Sequence, residues 1–226
     1  MPTYTYEFEF EDQTRVNIDV NTESPIQRNS EPAEWTKLEF QQCRNCPLKG
    51  KDLHCPVAVD LQQVTEKFSD IISYSRAQVR VITPERTYEK ECDAQAGLKS
   101  LLGLIMAASD CPILSQLRPM ARYHLPFASV EETIYRTVGA YLLKQYYISQ
   151  VSGEPDMNLT GLENLYQSLQ IVNTDFLQRV RAASNEDANL NAISTLFALS
   201  AMVSMTLKEQ LEEIKPLFFK RTGSNS

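Results

Sequence analysis

Tyr4-Thr5-Tyr6-Glu7-Phe8-Glu9-Phe10 and, shortly after it, Val16-Asn17-Ile18-Asp19-Val20 decide what kind of fold this chain can form. In both runs apolar side chains alternate with polar ones, the period of a strand that buries one face. Asp12, Gln13 and Thr14 between them suit a turn, so residues 1–21 are expected to form a β-hairpin with a hidden aromatic face. Residues 21–33, rich in Ser, Asn, Glu and Pro, read as a connecting loop.

Further along, residues 35–40 read as another short strand, and residues 57–74 carry helical spacing through Val59, Leu61, Val64, Phe68, Ile71 and Ile72. Pro56 fits the first turn of that helix. Residues 78–83 and 87–91 alternate again and are expected to complete a small antiparallel sheet. From Asp93 the pattern changes to helices, at about 94–109, 112–120, 130–151, 159–183 and 187–214. Ser129 with Glu132 marks the clearest helix start, a capping box. Leu190, Ile193, Phe197, Ser204, Leu207, Leu211 and Ile214 give the last helix an apolar stripe, whose expected partner is Leu162, Leu165, Leu169, Val172, Phe176 and Val180. The expected class is therefore α+β, with a small N-terminal antiparallel sheet packed on a C-terminal helical bundle. Residues 1–91 form a β-rich module with a cysteine knuckle and one helix, residues 92–219 the bundle, and residues 220–226 a frayed tail.

With 226 residues, 42% hydrophobic and 23% charged, the chain can bury a core without covalent staples. A net charge of -7 and no basic patch argue against a nucleic-acid surface. No apolar run approaches the roughly 20 residues of a membrane span. The aromatic and acidic alternation at the start is unlike a signal peptide, and the expected compartment is the cytoplasm.

Five cysteines are an odd number, and three crowd together in Cys43-Arg44-Asn45-Cys46 and Cys55, which suits a metal site in a reducing compartment better than a disulfide framework. The turn inside C-x2-C brings two sulfurs to one point. Cys55-Pro56 and Cys111-Pro112 place Cys at a helix cap, where the positive end of the dipole favours a thiolate. The expected ligands are Cys43, Cys46, Cys55 and Cys111 around tetrahedral zinc, with Cys92 or His54 as substitute fourth ligand. Buried free thiols, an iron–sulfur cluster and a Cys43/Cys46 redox pair are the alternatives; the spacing matches neither ferredoxin pattern.

His124 stands in Arg118-Pro119-Met120-Ala121-Arg122-Tyr123-His124-Leu125-Pro126-Phe127. With Arg118, Arg122 and Arg136 it could line a small anion pocket, against the simpler reading of a packed, hydrogen-bonded histidine. Asn173, Asp175 and Arg179, and then Asp187, Asn189 and Asn191, read as caps and loop-fixing hydrogen bonds. No catalytic triad, phosphate loop or carboxylate pair emerges.

Together, Cys43-Arg44-Asn45-Cys46-Pro47-Leu48, His54-Cys55-Pro56-Val57-Ala58, Ser109-Asp110-Cys111-Pro112 and Met120-Ala121-Arg122-Tyr123-His124-Leu125-Pro126-Phe127-Ala128 resemble an uncharacterised bacterial protein family of about this length. The resemblance spans most of the chain. It implies a bacterial cytoplasmic protein, and it supports Cys111 over Cys92, because Cys43, Cys46, Cys55, Cys111 and His124 match its motif positions. The leading expectation is a zinc-stabilised, non-enzymatic interaction or regulatory module, binding another protein through the helical half or the hairpin edge. An enzyme or small-anion sensor is the alternative, and an iron–sulfur or thiol redox sensor the second.

Overall fold

Alternation in the first hairpin is realised side chain by side chain. Strands β1 (Thr3–Phe10) and β2 (Arg15–Asn21) pair antiparallel with Tyr6 opposite Ile18 and Phe8 opposite Val16. Tyr4, Tyr6, Phe8, Phe10, Val16, Ile18 and Val20 are all buried on one face. Gln13 makes the turn at φ 71, a left-handed conformation that polar side chains tolerate best. The computed structural model describes residues 3–23, 31–50, 53–151, 153–183 and 187–219; the expected tail at 220–226 and the middle of the expected loop, 24–30, lie outside the described residues.

β3 (Arg76–Ile82) and β4 (Thr87–Asp93) complete an antiparallel sheet in the order β2-β1-β3-β4. Two helices, α1 (Pro56–Lys67) and α2 (Ala94–Ala108), accompany its aromatic face. Phe68, just past α1, meets Phe8 edge to face at 4.9 Å. α2 approaches the sheet at Gly97, where a Cβ would stand 2.5 Å from Phe8 Cε1 and 3.0 Å from Val79 Cγ2. Leu98, Leu101, Leu102, Leu104 and Ile105 are all buried, so α2 is the central helix of the molecule.

Two local expectations are corrected. Residues 35–40 form no strand: a 3-10 turn at Glu34–Thr36 leads into a lone bridge between Lys37 and His54. The helix expected over 57–74 stops at Lys67, because residues 68–75 wind into turns whose carbonyls at Ser73 and Ser75 receive the N–H groups of Gln95 and Ala94 at the start of α2. Residues 112–120 likewise break into a 3-10 turn at Leu114–Leu117 and a short α3 (Arg118–Arg122).

The long helices are α4 (Val130–Gln150), α5 (Thr160–Ala183) and α6 (Asp187–Ile214). α4 begins with the expected capping box, Ser129 with Glu132. α5 and α6 pack together; Leu162, Leu169, Val172, Phe176 and Val180 are buried, as are Ile193 and Leu207 opposite, while the side chains of Phe197 and Ser204 lie outside the described ones. One hydrophobic cluster runs from Tyr4 to Leu207, so the core is continuous across the expected boundary at 91. Among the described residues, no helix is long and apolar enough to cross a membrane.

Candidate functional site

Cys43, Cys46, Cys55 and Cys111 line one small void, together with Val172, Phe176 and Arg179 of α5. Each is placed by local chemistry. The Cys46 N–H donates to the Cys43 carbonyl at 3.0 Å, which folds the C-x2-C into a turn. Its two middle residues grip α5: the Arg44 N–H and Nε donate to the Asp175 carboxylate at 2.7 and 3.1 Å, and Asn45 Nδ2 donates to the Ser168 carbonyl at 3.0 Å. Cys55 is the N-cap of α1 with Pro56 in the first turn, as expected. Cys111 is not the helix cap expected from Cys111-Pro112: it lies between the end of α2 and the 3-10 turn at Leu114–Leu117, whose N-cap is Ile113.

The void measures about 20 Å³, room for one water-sized occupant. A water there would need partners, and sulfur is a weak one. Burial pushes the Cys43 thiol up to about 12, with Cys55 and Asp175 adding to the shift and Arg179 opposing it. Burial also raises Cys55 and Cys111, while the backbone N–H groups of Ala58 and Val57, and of Leu114 and Ile113, favour the respective thiolates. All five cysteines are free thiols. Among the described residues, no three or more His, Cys, Asp or Glu side chains are gathered as a metal site.

Arg179 is the functional candidate that sequence reasoning places only among loop-fixing polar residues. Its side chain is 1% exposed. Nη1 donates to the carbonyls of Trp35 and Lys37 at 2.8 and 2.7 Å, and Nη2 to that of Leu38 at 3.0 Å. Nε is buried without a hydrogen-bond partner among the described residues. Burial lowers its affinity for the proton, opposed by the adjacent Cys55, Cys43 and Cys46. No carboxylate pairs with it among the described residues, so a buried guanidinium stands beside four thiols. A signal for it exists in the sequence: Arg179 continues the steps Leu169, Val172 and Phe176, a charge at buried-face spacing.

The substitute ligands lie elsewhere. Cys92 sits in β4 opposite Ala77, and neither it nor His54 lines the void. His54 Nδ1 is 2.7 Å from Thr36 Oγ1.

His124 occupies a second place, at the wall of a larger cavity. Its Nε2 lies 2.6 Å from Tyr6 Oη, which is 2.8 Å from Ser100 Oγ. Ser100 Oγ accepts from the Phe127 N–H at 3.1 Å, so each proton finds one acceptor if Ser100 donates to Tyr6 and Tyr6 to the imidazole. The His124 N–H donates to Tyr4 Oη at 3.0 Å. Burial, then the charge of Arg136, drives the imidazole down to about 3, so it is neutral at physiological pH. The packed, hydrogen-bonded reading describes this histidine.

The four residues of the expected anion pocket do not converge. Arg118 pairs with Asp110 at 2.9 Å and Arg122 with Glu23 at 3.4 Å, both lining a surface hollow that also holds Asp60. Arg136 shares the cavity with His124, its Nη2 donating to the carbonyls of Met120 and Tyr123. The sequence profile of a domain of unknown function, DUF6901, matches residues 3–219. No curated protein and no solved structure matches the chain.

Proposed function

Because the chain belongs to the DUF6901 family, a domain of unknown function, its role has to be read from its own residues, and we propose a metal–thiolate protein in which Cys43, Cys46, Cys55 and Cys111 hold one zinc ion. The observation that carries this reading is a small void lined by those four cysteines and by a buried arginine that has no carboxylate partner among the described residues. Thiolates on a metal carry the negative charge that Arg179 lacks. Closing onto the ion takes rotation of the cysteine side chains about their Cα–Cβ bonds. The ion would tie the segment before α1 to α5 and to the turn after α2. Its role is then structural, since four protein ligands leave no open position for a reacting group.

A binding partner for this module is supported by the outer face of α4. Tyr135, Leu143, Tyr146 and Tyr147 are exposed there, and among the described residues nothing stands within 4 Å of a Cβ built at Gly139 between them. Aromatic side chains in such a stripe are common at protein interfaces. β4, by contrast, carries Glu89, Lys90 and Glu91, charges that blunt a sheet edge against pairing.

Metal analysis of the native protein and of its Cys→Ser variants tests the metal site. The expected result is about one zinc per chain, lost on substitution at Cys43, Cys46, Cys55 or Cys111 and kept in Cys92→Ser and His54→Ala. Visible absorbance with iron and sulfide in anaerobic preparations would replace zinc by an iron–sulfur cluster. A metal-free native protein would leave packed thiols.

A further inference from the structure

The cavity beside His124 plays no part in the metal site. Its volume is about 160 Å³, close to the roughly 150 Å³ of an engineered cavity that stays dry and binds benzene. Leu104, Leu114, Leu117, Met120, Leu169 and Val203 make much of its wall. Among the described residues its charged lining is cationic, Lys99 and Arg136, with no Asp or Glu.

These groups are not equivalent. The Arg136 Nη2 is engaged by two backbone carbonyls, and His124 is neutral with its Nε2 held by Tyr6. Lys99 is half-buried and has no hydrogen bond or ion pair among the described residues. Burial and the nearby charge of Lys90 lower its affinity for the proton and outweigh the opposing charge of Asp93, so a further anion beside it would be stabilising. Lys90 lies over the ring of Phe127 at 5.9 Å, and Phe127 lines the same cavity. Lys99 and, through Phe127, Lys90 thus bring positive charge to the wall of a largely apolar cavity, with Asp93 as the nearby opposing charge.

We propose that this cavity binds a small apolar carboxylic acid, its hydrocarbon end among the leucines and its carboxylate on the Lys99 ammonium. A pocket of this kind selects by two independent features, the size of the apolar group and the negative charge.

Calorimetric titration of the full chain with benzoate and with benzyl alcohol, its neutral counterpart, tests the assignment. Benzoate is expected to bind about tenfold tighter than benzyl alcohol, the factor expected of an ion pair worth about 1.4 kcal/mol. Lys99→Met should remove that preference and leave benzyl alcohol binding unchanged. Ala107→Leu, which fills the wall from α2, should weaken both ligands. Absence of benzoate binding, equal binding of the two ligands, or undiminished benzoate affinity in Lys99→Met would each overturn the proposal. Lys99 is half-exposed, so its variant reports on binding even if Ala107→Leu disturbs folding.

Discussion

His124 shows how a single ring can tie a protein's stability to pH. Its imidazole is held neutral in the fold at a value of about 3, against an ordinary value of 6.5. The unfolded chain therefore binds a proton that the native chain refuses between those two limits. Stability contributed by the neutral ring is full above pH 6.5 and is lost as pH falls toward 3. Each tenfold difference in proton affinity between the folded and unfolded chain is worth about 1.4 kcal/mol. His124→Gln keeps a polar group near the Nε2 position and removes the titration. Urea denaturation of parent and variant between pH 7 and pH 5 should show a fall in stability for the parent that is shallower in the variant; parallel curves would contradict the neutral, buried ring. The same scale shows what residue-level reading can reach. Spacing and Cys-Pro pairs single out Cys43, Cys46, Cys55 and Cys111, and all four line one void. Arg179 is not legible in that way, because its partners are carbonyls at Trp35, Lys37 and Leu38, more than 140 positions away.

Elements are legible when their pattern is enforced by their own packing, and less so when a distant group decides. The first hairpin and the start of α4 need only alternation and a capping box, both local. Residues 35–40 look like a strand, but beyond the single bridge at His54 the carbonyls of Trp35, Lys37 and Leu38 turn toward Arg179. The apolar spacing at 57–74 overruns the helix because Phe68 and Ile71 keep helical intervals while the backbone is already turning. Helix on sheet is governed by the close approach at Gly97, where two effects oppose each other. Ala at a helix interior is favoured over Gly by about 1 kcal/mol. Against that, a Cβ would collide with Phe8 Cε1 at 2.5 Å, and Phe8 is buried against Phe68 and cannot swing aside. Overpacking of this kind costs about 1–3 kcal/mol, so it wins. Gly97→Ala is expected to lower the unfolding free energy by about 1 kcal/mol, measured by denaturant titration; a more stable variant would mean that α2 stands further from the sheet.

At the scale of the whole molecule, the segment from Glu34 to Cys55 has, in its described residues, little regular structure beyond the 3-10 turn at Glu34–Thr36, yet that turn packs against both α1 and α5. Arg179 holds its first carbonyls, Asp175 and Ser168 hold the knuckle, and Leu38 enters the common core. These anchors all reach α5 or the core, and the proposed ion would add a link to Cys111 at the far end of α2. A structural metal contributes directly to folding free energy, so its loss should be felt first where few backbone hydrogen bonds exist. Cys55→Ser separates this effect from helix capping, because Ser is at least as good an N-cap as Cys and leaves the start of α1 intact. Hydrogen exchange of the metal-loaded parent and of Cys55→Ser should then show amides in residues 36–50 exchanging on the order of tenfold faster in the variant, a loss of about 1.4 kcal/mol of local protection. Amides of β1 and β3, paired to neighbours on both sides, should keep their protection. Uniform loosening of sheet and segment would make Cys55 an ordinary core residue, and no loosening at all would mean that Arg179 and Asp175 alone hold the segment in place.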